Sequence, residues 1–373
     1  MPDALRALFV NEGALGAGVL GHVRVAQTLA AQLRSADLEA HFAVLPPMSH
    51  ATQVAVRQVP VLGRADLDLQ AVRWHLAQGL RARRVVRAEL RRRPFDVLHL
   101  HAHTLSFLLG DVMGRVPTLL SLDATAWDWH AMGIWRRPGR HSRAALAPSL
   151  ALERRALARA ARVLAFTRWG REAVERTNPD ARVIEHHPGI DLEMFRPRAR
   201  PDRQRPRVLF VGGRFAEKGG YDLLAALGPH AGSDLELDIV TPAPVPSQPG
   251  VRVHRLGASD PELPELYARA DVFCLPTLGD AVPLSVVEAM ASGAAVVATD
   301  IGAIADLLDG GRVGRLVPAR NPRVLREAVL ALVRDETERT ALAGAARARC
   351  EAHYNAAVQA RRLVELMCEV ASR

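Results

Sequence analysis

Twice along this chain of 373 residues, six short apolar runs alternate with helix-length stretches of Ala, Leu and Arg, and this doubled alternation limits the fold more than any other feature. The first series is Ala7-Val10, His41-Leu45, Val97-Leu100, Thr118-Leu122, Val163-Phe166 and Arg182-Ile184. The second is Val208-Val211, Leu235-Val240, Val251-Leu256, Val272-Leu275, Ala295-Ala298 and Gly314-Val317. Short apolar runs separated by helical segments read as strands of parallel sheets, covered on both faces by their crossover helices. Between the series, Arg196 to Pro206 is rich in proline and charge with nothing to bury, and reads as a linker. The expected fold class is therefore α/β: two doubly wound Rossmann-like domains, residues 1–195 and 207–354, joined by linker 196–206 and facing each other across a cleft. Ligands in such sheets sit at the carboxyl ends of the strands.

Composition narrows the function classes. No uninterrupted apolar stretch of about 18 residues occurs, and Met1-Pro2-Asp3 leads into a strand rather than an apolar leader, so the expected location is cytoplasmic or peripheral to a membrane. Cys274, Cys350 and Cys368 are odd in number and lack any CxxC pair, against both a disulfide framework and a zinc site. The net charge of +9 is uneven. Between Arg73 and Arg93, eight arginines face the single acid Glu89, with Trp74, Leu76, Leu80, Val85, Val86 and Leu90 spaced as one helical face. That stretch reads as a basic amphipathic helix suited to an anionic membrane surface, or more plainly as a solvated arginine face. No nucleic-acid signature accompanies it, so nucleic acid is not an expected partner.

The only lysine stands in Gly212-Gly213-Arg214-Phe215-Ala216-Glu217-Lys218-Gly219-Gly220, directly after the run Val208-Val211. All other basic residues among the 49 are arginine. In so biased a chain, a retained lysine marks a place where a compact ammonium differs from a planar fork. A strand, a glycine turn and cations at i and i+4 let amides and side chains converge on a phosphate. The plainer alternative is an accidental lysine on a solvated loop.

A second stretch runs from Asp271 to Gly293. A strand ends at Pro276, a loop carries Asp280, and Pro283 is set to open the helix holding Glu288. Two carboxylates then flank a helix N-terminus whose free amides receive an anion or a sugar oxygen. Asp280 accepts from sugar hydroxyls and Glu288 from both hydroxyls of a ribose. Complementing the helix dipole is the plainer role, weaker for Glu288 because it lies inside an apolar helix.

These residues resemble the glycosyltransferases of family 4, which have the GT-B fold. The family's two acids separated by seven residues match Asp280 and Glu288, followed here by Ala289-Met290-Ala291, Gly293, Val296-Val297-Ala298-Thr299, Gly302 and Asp306. The Gly212 to Gly219 segment is similar to its donor-phosphate motif, His187-Pro188-Gly189-Ile190-Asp191 to its Pro-Asn-Gly-Val-Asp, and Asp96-Val97-Leu98-His99-Leu100-His101 to its acceptor-side strand end. The resemblance covers nearly the whole chain. It implies a C-terminal helix, 355–373, that crosses back to the first domain. It also implies transfer of a sugar from a nucleotide diphosphate donor to a lipid-linked, polysaccharide or small-molecule acceptor, with retained configuration and no metal or other cofactor. The implied donor residues are Gly18, Gly21, Gly213, Asp280, Ala281, Val282, Pro283, Leu284 and Glu288. Arg214, Lys218, Asp123 and His101 are the implied catalytic set.

Four departures stand out. Asp280 and Asp306 replace a usual Glu, Thr241-Pro242-Ala243-Pro244 replaces a Gly-x-Gly turn, and Ser121-Leu122-Asp123 replaces Thr-x-His, leaving a carboxylate where the family has a histidine. The last change opens the alternative of a sugar-nucleotide-binding subunit without transfer activity. Gly16-Ala17-Gly18-Val19-Leu20-Gly21 spells GxGxxG and raises an NAD-dependent oxidoreductase as a rival, but Asn11 to Leu15 separate it from its strand and no acid closes the next one. Trp127, Trp129 and Trp135 cluster after Asp123, suited either to stacking on a sugar or to loop packing.

Overall fold

The computed structural model describes residues 4–11, 33, 38–59, 63, 67–133, 138–200 and 204–372. Two compact units divide the chain: Met1–His187 with Ala357–Arg373, and Pro188–Ala356. Each contains one six-stranded sheet with every pairing parallel.

In the first unit the strands are β1 (Leu5–Asn11), β2 (Leu38–Val44), β3 (Val97–His101), β4 (Thr118–Leu122), β5 (Arg162–Ala165) and β6 (Val183–Glu185), in the order β2-β1-β3-β4-β5-β6. In the second they are β7 (Arg207–Val211), β8 (Glu236–Val240), β9 (Val251–His254), β10 (Val272–Leu275), β11 (Ala295–Thr299) and β12 (Arg315–Val317), in the order β12-β11-β10-β7-β8-β9. All the runs expected to be strands are strands. β2 starts earlier than its apolar run because Leu38-Glu39-Ala40 pair with Leu5-Arg6-Ala7. Strand order reverses between β1 and β3 in the first sheet and between β7 and β10 in the second, and a doubly wound sheet binds its ligand at such a switch point.

Side-chain alternation divides the first sheet between two cores. Leu8, Val10, Leu98, Leu100, Leu120 and Val163 pack with Ala82, Val86, Leu105 and Leu157 on one face. Ala7, Phe9, Val97, Leu119 and Leu164 pack on the other with Ala360, Leu363, Met367 and Val370 of the C-terminal helix Ala356–Ala371, which crosses back to this sheet. Arg162 and Glu369 add an ion pair at 2.8 Å. The described part of the Pro/Arg stretch, 196–200, lies against the second unit: Arg200 donates to the carbonyls of Gly293 at 2.6 Å and Ala268 at 3.1 Å.

The helix Gln70–Arg92 differs from its expected orientation. Its buried face is Val72, His75, Gln78, Gly79, Ala82 and Val86, while Leu76 and Leu80 are exposed. Most of its arginines are spent within the protein: Arg73 on the carbonyls of Ala55 and Arg57 and on Asp68, Arg81 on Pro46 and Gln78, Arg83 and Arg87 on Asp111, Arg92 on Glu89. Arg93, which follows the helix, pairs with Glu39. Arg84 and Arg91 are exposed, and no ion pair holds them among the described residues. Among the described residues no helix is long and apolar enough to cross a membrane.

Candidate functional site

In the second unit the site forms where β7 and β10 end side by side. After β7 the chain makes one helical turn, Lys218 N donating to Arg214 O at 2.9 Å, and then turns through Gly219 into the helix Gly220–Leu227. Gly219 has φ +77, and a Cβ there would fall 1.8 Å from the Pro276 carbonyl oxygen. Only glycine combines that left-handed backbone with so close a contact between the two loops. Leu278 N donates to Glu217 O at 2.9 Å, and the Thr277 hydroxyl bonds both Gly279 N and Gly279 O. From the end of β11, Thr299 Oγ1 donates to Thr277 O at 2.7 Å.

That framework brings Lys218 Nζ onto Asp280 Oδ2 as a partly buried ion pair. Arg214 is directed elsewhere, to Glu217 at 2.8 Å, and remains largely exposed. The two cations therefore share one turn but not one partner, and among the described residues the amides of Gly213 and Arg214 meet no acceptor. Pro283 stands just before the helix Leu284–Ala291 rather than as its first residue. The first-turn amides of Leu284 and Ser285 have no intrahelical partners, as in any helix start, and follow directly on Ala281 and Val282. Gly302, at φ +58, backs this loop: its Cβ would meet the Asp280 carbonyl oxygen at 2.1 Å, and Ala303 N donates to Ala281 O at 2.9 Å. Glu288 is buried in the same helix. Lys218, free amides and the carboxylates of Asp280 and Glu288 thus lie on the loops and helix that follow β7 and β10, an arrangement suited to a diphosphate joined to a polyol.

In the first unit the residues expected on the acceptor side line the carboxyl edge of the sheet. His101 ends β3 opposite Asn11 of β1 and Ser121 of β4, so Asp123 emerges on the adjacent strand. His101 is buried with its ring 5.5 Å from Phe166. Asp123 Oδ1 accepts the Trp129 indole N–H at 3.1 Å. Trp129 thus orients the carboxylate, and the Arg143 guanidinium covers one face of Trp127 at 4.1 Å. Between His101 and His103, Ala102 adopts φ 125, a strained turn for a residue with a Cβ. His99 donates to or accepts from Ser121 Oγ at 2.7 Å, and burial lowers the His99 pKa to about 4. Gly16 to Gly21, with Gly18 and Gly21, and Trp135 lie outside the described residues.

Thr277 and Thr299, whose hydroxyls brace the loop after β10, carry no sequence signal beyond a hydroxyl near a strand end, and Glu217 joins that loop through its backbone carbonyl. Among the described residues no group of His, Cys, Asp or Glu is gathered so as to hold a metal ion.

Two family models match the chain: Glycosyltransferase Family 4 over residues 19–194 and Glycosyl transferases group 1 over residues 205–335. D-inositol 3-phosphate glycosyltransferase 1 of Catenulispora acidiphila is 30% identical over 340 residues, 80% of this chain and 77% of that one. Phosphatidyl-myo-inositol mannosyltransferase of Mycobacterium tuberculosis is 37% identical over 180 residues, 44% of this chain and 46% of that one. Sucrose-phosphate synthase from Thermosynechococcus elongatus has the same fold with a TM-score of 0.71 at 17% identity, each chain covered to 99%. HepE of Anabaena, solved with UDP, superposes with a TM-score of 0.69 at 15% identity over 98% of this chain and 100% of its own. These are GT-B structures, as are the paired sheets described above. With both units matched and a relative aligned over most of its length, the chain belongs to glycosyltransferase family 4 and is a glycosyltransferase.

Proposed function

We propose that the protein transfers a glycosyl group from a nucleoside diphosphate sugar to a phosphate-bearing polyol, with retained configuration and without a metal ion. The observation that carries this reading is the Lys218–Asp280 pair at the strand-order reversal between β7 and β10. An incoming diphosphate competes with Asp280 for the Lys218 ammonium, and Arg214 and the Gly213 amide add donors to it. The released Asp280 carboxylate then accepts from sugar hydroxyls beside the first-turn amides of Leu284 and Ser285, and Glu288 takes the ribose. As the glycosidic bond breaks, charge collects on the leaving diphosphate, where preorganised cations stabilise it most. A leaving phosphate oxygen takes the acceptor proton, so Asp123, fixed by Trp129, need only orient the acceptor hydroxyl near His101.

Relatives named for D-inositol 3-phosphate and phosphatidyl-myo-inositol support an inositol phosphate acceptor, free or in a lipid. Exposed Leu69, Leu76 and Leu80 beside Arg84 and Arg91 support contact with an anionic membrane surface, from which a lipid acceptor would be drawn.

The test begins with UDP-, GDP- and ADP-sugars as thermal stabilisers, since a donor at a hundred times its Kd adds about 2.7 kcal/mol. The stabilising donor is then offered with myo-inositol 1-phosphate, or with phosphatidylinositol vesicles, in EDTA. Turnover in EDTA is expected. Stabilisation by no nucleotide sugar would refute the reading, and stabilisation without turnover on any acceptor would favour a binding subunit.

A further inference from the structure

Glu153, on the helix Ser142–Arg159, is 1% exposed and plays no part in the mechanism above. Its Oε1 accepts the Ala126 N–H at 2.8 Å and lies 3.2 Å from His103 Nε2, while Oε2 is buried without a partner. Ala126 begins the helix Ala126–Ala131, which carries Trp127 and Trp129 and, through the Trp129 indole, holds Asp123. His103 begins the 3-10 turn His103–Ser106 and follows His101 across strained Ala102. One carboxyl oxygen is therefore hydrogen-bonded to the segment that leaves β4 and stands against the ring of the segment that leaves β3, where His103 Nε2 has no hydrogen-bond partner; these are the two strands whose ends carry His101 and Asp123.

The surroundings decide the form of that carboxyl. The 3-10 turn presents His103, and the helix Gln70–Arg92 presents His75, bonded to Ser149 at 2.8 Å. The helix Ala126–Ala131 presents Asp128, a charge of the same sign as a carboxylate, itself 3.6 Å from Arg176 of the helix Arg168–Thr177. The short helix Gly110–Met113 presents Asp111, already paired with Arg83 and Arg87. No Arg or Lys among the described residues forms an ion pair with Glu153. A carboxylate here would be a buried charge without a counter-ion, which is the costly case.

We propose that Glu153 is a neutral acid that clamps the acceptor-side segment 123–133 to the His101–His103 turn, a positioning residue whose ionisation loosens that segment. The proposal rests on the reading of 123–133 as the acceptor side. Burial pushes the Glu153 pKa up to about 8 and that of His103 down to about 3, so both are neutral at pH 7. As pH rises past about 8 the carboxyl loses its proton while His103 stays neutral, and the new charge draws water into the clamp.

Hydrogen exchange of residues 123–133 in the full chain, corrected for the intrinsic rate and followed from pH 6.5 to 9, tests this. In the wild type, exchange should accelerate about tenfold with a midpoint near the Glu153 titration, a local opening rather than unfolding. Glu153→Gln keeps the shape of the neutral acid and should remain slow throughout. Glu153→Ala should be fast at every pH, and if it fails to fold, the wild-type and Gln pair still decides. A wild-type profile without a transition, or one that survives in Glu153→Gln, overturns the proposal. Stabilisation by nucleotide sugars, measured on the same samples, tests the catalytic reading separately, because Lys218, Asp280 and Glu288 lie in the second unit.

Discussion

Acidification should unfold the first unit before the second. Burial lowers the pKa of His75 and His99 to about 4 and that of His103 and His186 to about 3, with His75 adding to the effect at His103 and His99 to that at His186. In the unfolded chain each binds its proton near pH 6.5. Between the folded and unfolded values the unfolded state holds more protons, so stability falls as pH drops below 6.5. From pH 7 to pH 5 the loss is about 2 kcal/mol for each histidine, on the order of 7 to 8 kcal/mol for the four. Glu153 works in the opposite sense: its folded pKa is raised, so the proton it keeps while the unfolded chain has lost it costs stability near neutrality, and acidification returns about 2 to 3 kcal/mol. The net loss of about 5 kcal/mol is comparable with the whole stability of a domain. All five tryptophans lie between Trp74 and Trp169 in the first unit, and the three tyrosines, Tyr221, Tyr267 and Tyr354, lie in the second. Urea unfolding followed by tryptophan emission at pH 7, 6 and 5 therefore reads the first unit alone. Its midpoint should fall steeply, and His186→Gln should remove about a quarter of the histidine slope. A midpoint that stays level or rises from pH 7 to pH 5 would refute the argument that these imidazoles are buried neutral.

Three further outcomes bear on the site. Lys218→Ala should lower kcat by at least about 100-fold with a smaller change in donor affinity, and Lys218→Arg should not restore it; full activity in the Arg variant would sink the argument from the solitary lysine. Glu288→Gln should weaken donor binding by about 1.5–3 kcal/mol in calorimetry, and an unchanged affinity would leave Glu288 a helix residue only. Asp123→Asn should keep substantial transfer while Asp123→Ala loses acceptor-dependent turnover with donor binding intact; an Asn variant as inactive as Ala, with a wild-type rate rising along one carboxylate titration, would make Asp123 a general base.

Local pattern determined a large part of this protein. Runs such as Val272-Leu275 and Ala295-Ala298 are apolar throughout because both faces of a parallel strand are buried, and that constraint is written residue by residue. The glycine turn after β7 and the Pro283 start after β10 were legible for a related reason: backbone conformation and capping depend on the residues at hand. Tertiary structure decided which polar groups meet. Lys218 and Asp280 stand 62 residues apart and pair only because β7 and β10 are neighbours, a matter of strand order that no local period records. The arginines of Gln70–Arg92 read as a charged outer face, yet Arg81 and Arg83 find carbonyl partners at Pro46 and Leu108 and Arg87 finds Asp111, groups whose positions depend on how other segments cross that helix. Glu153 looks in sequence like one more charge on an arginine-rich helix, and only the packing of that helix beneath the ends of β3 and β4 takes it out of water. A side chain's burial and its partner are properties of the packed molecule, since a solvated charge and a buried one share the same local sequence until other elements close over one of them.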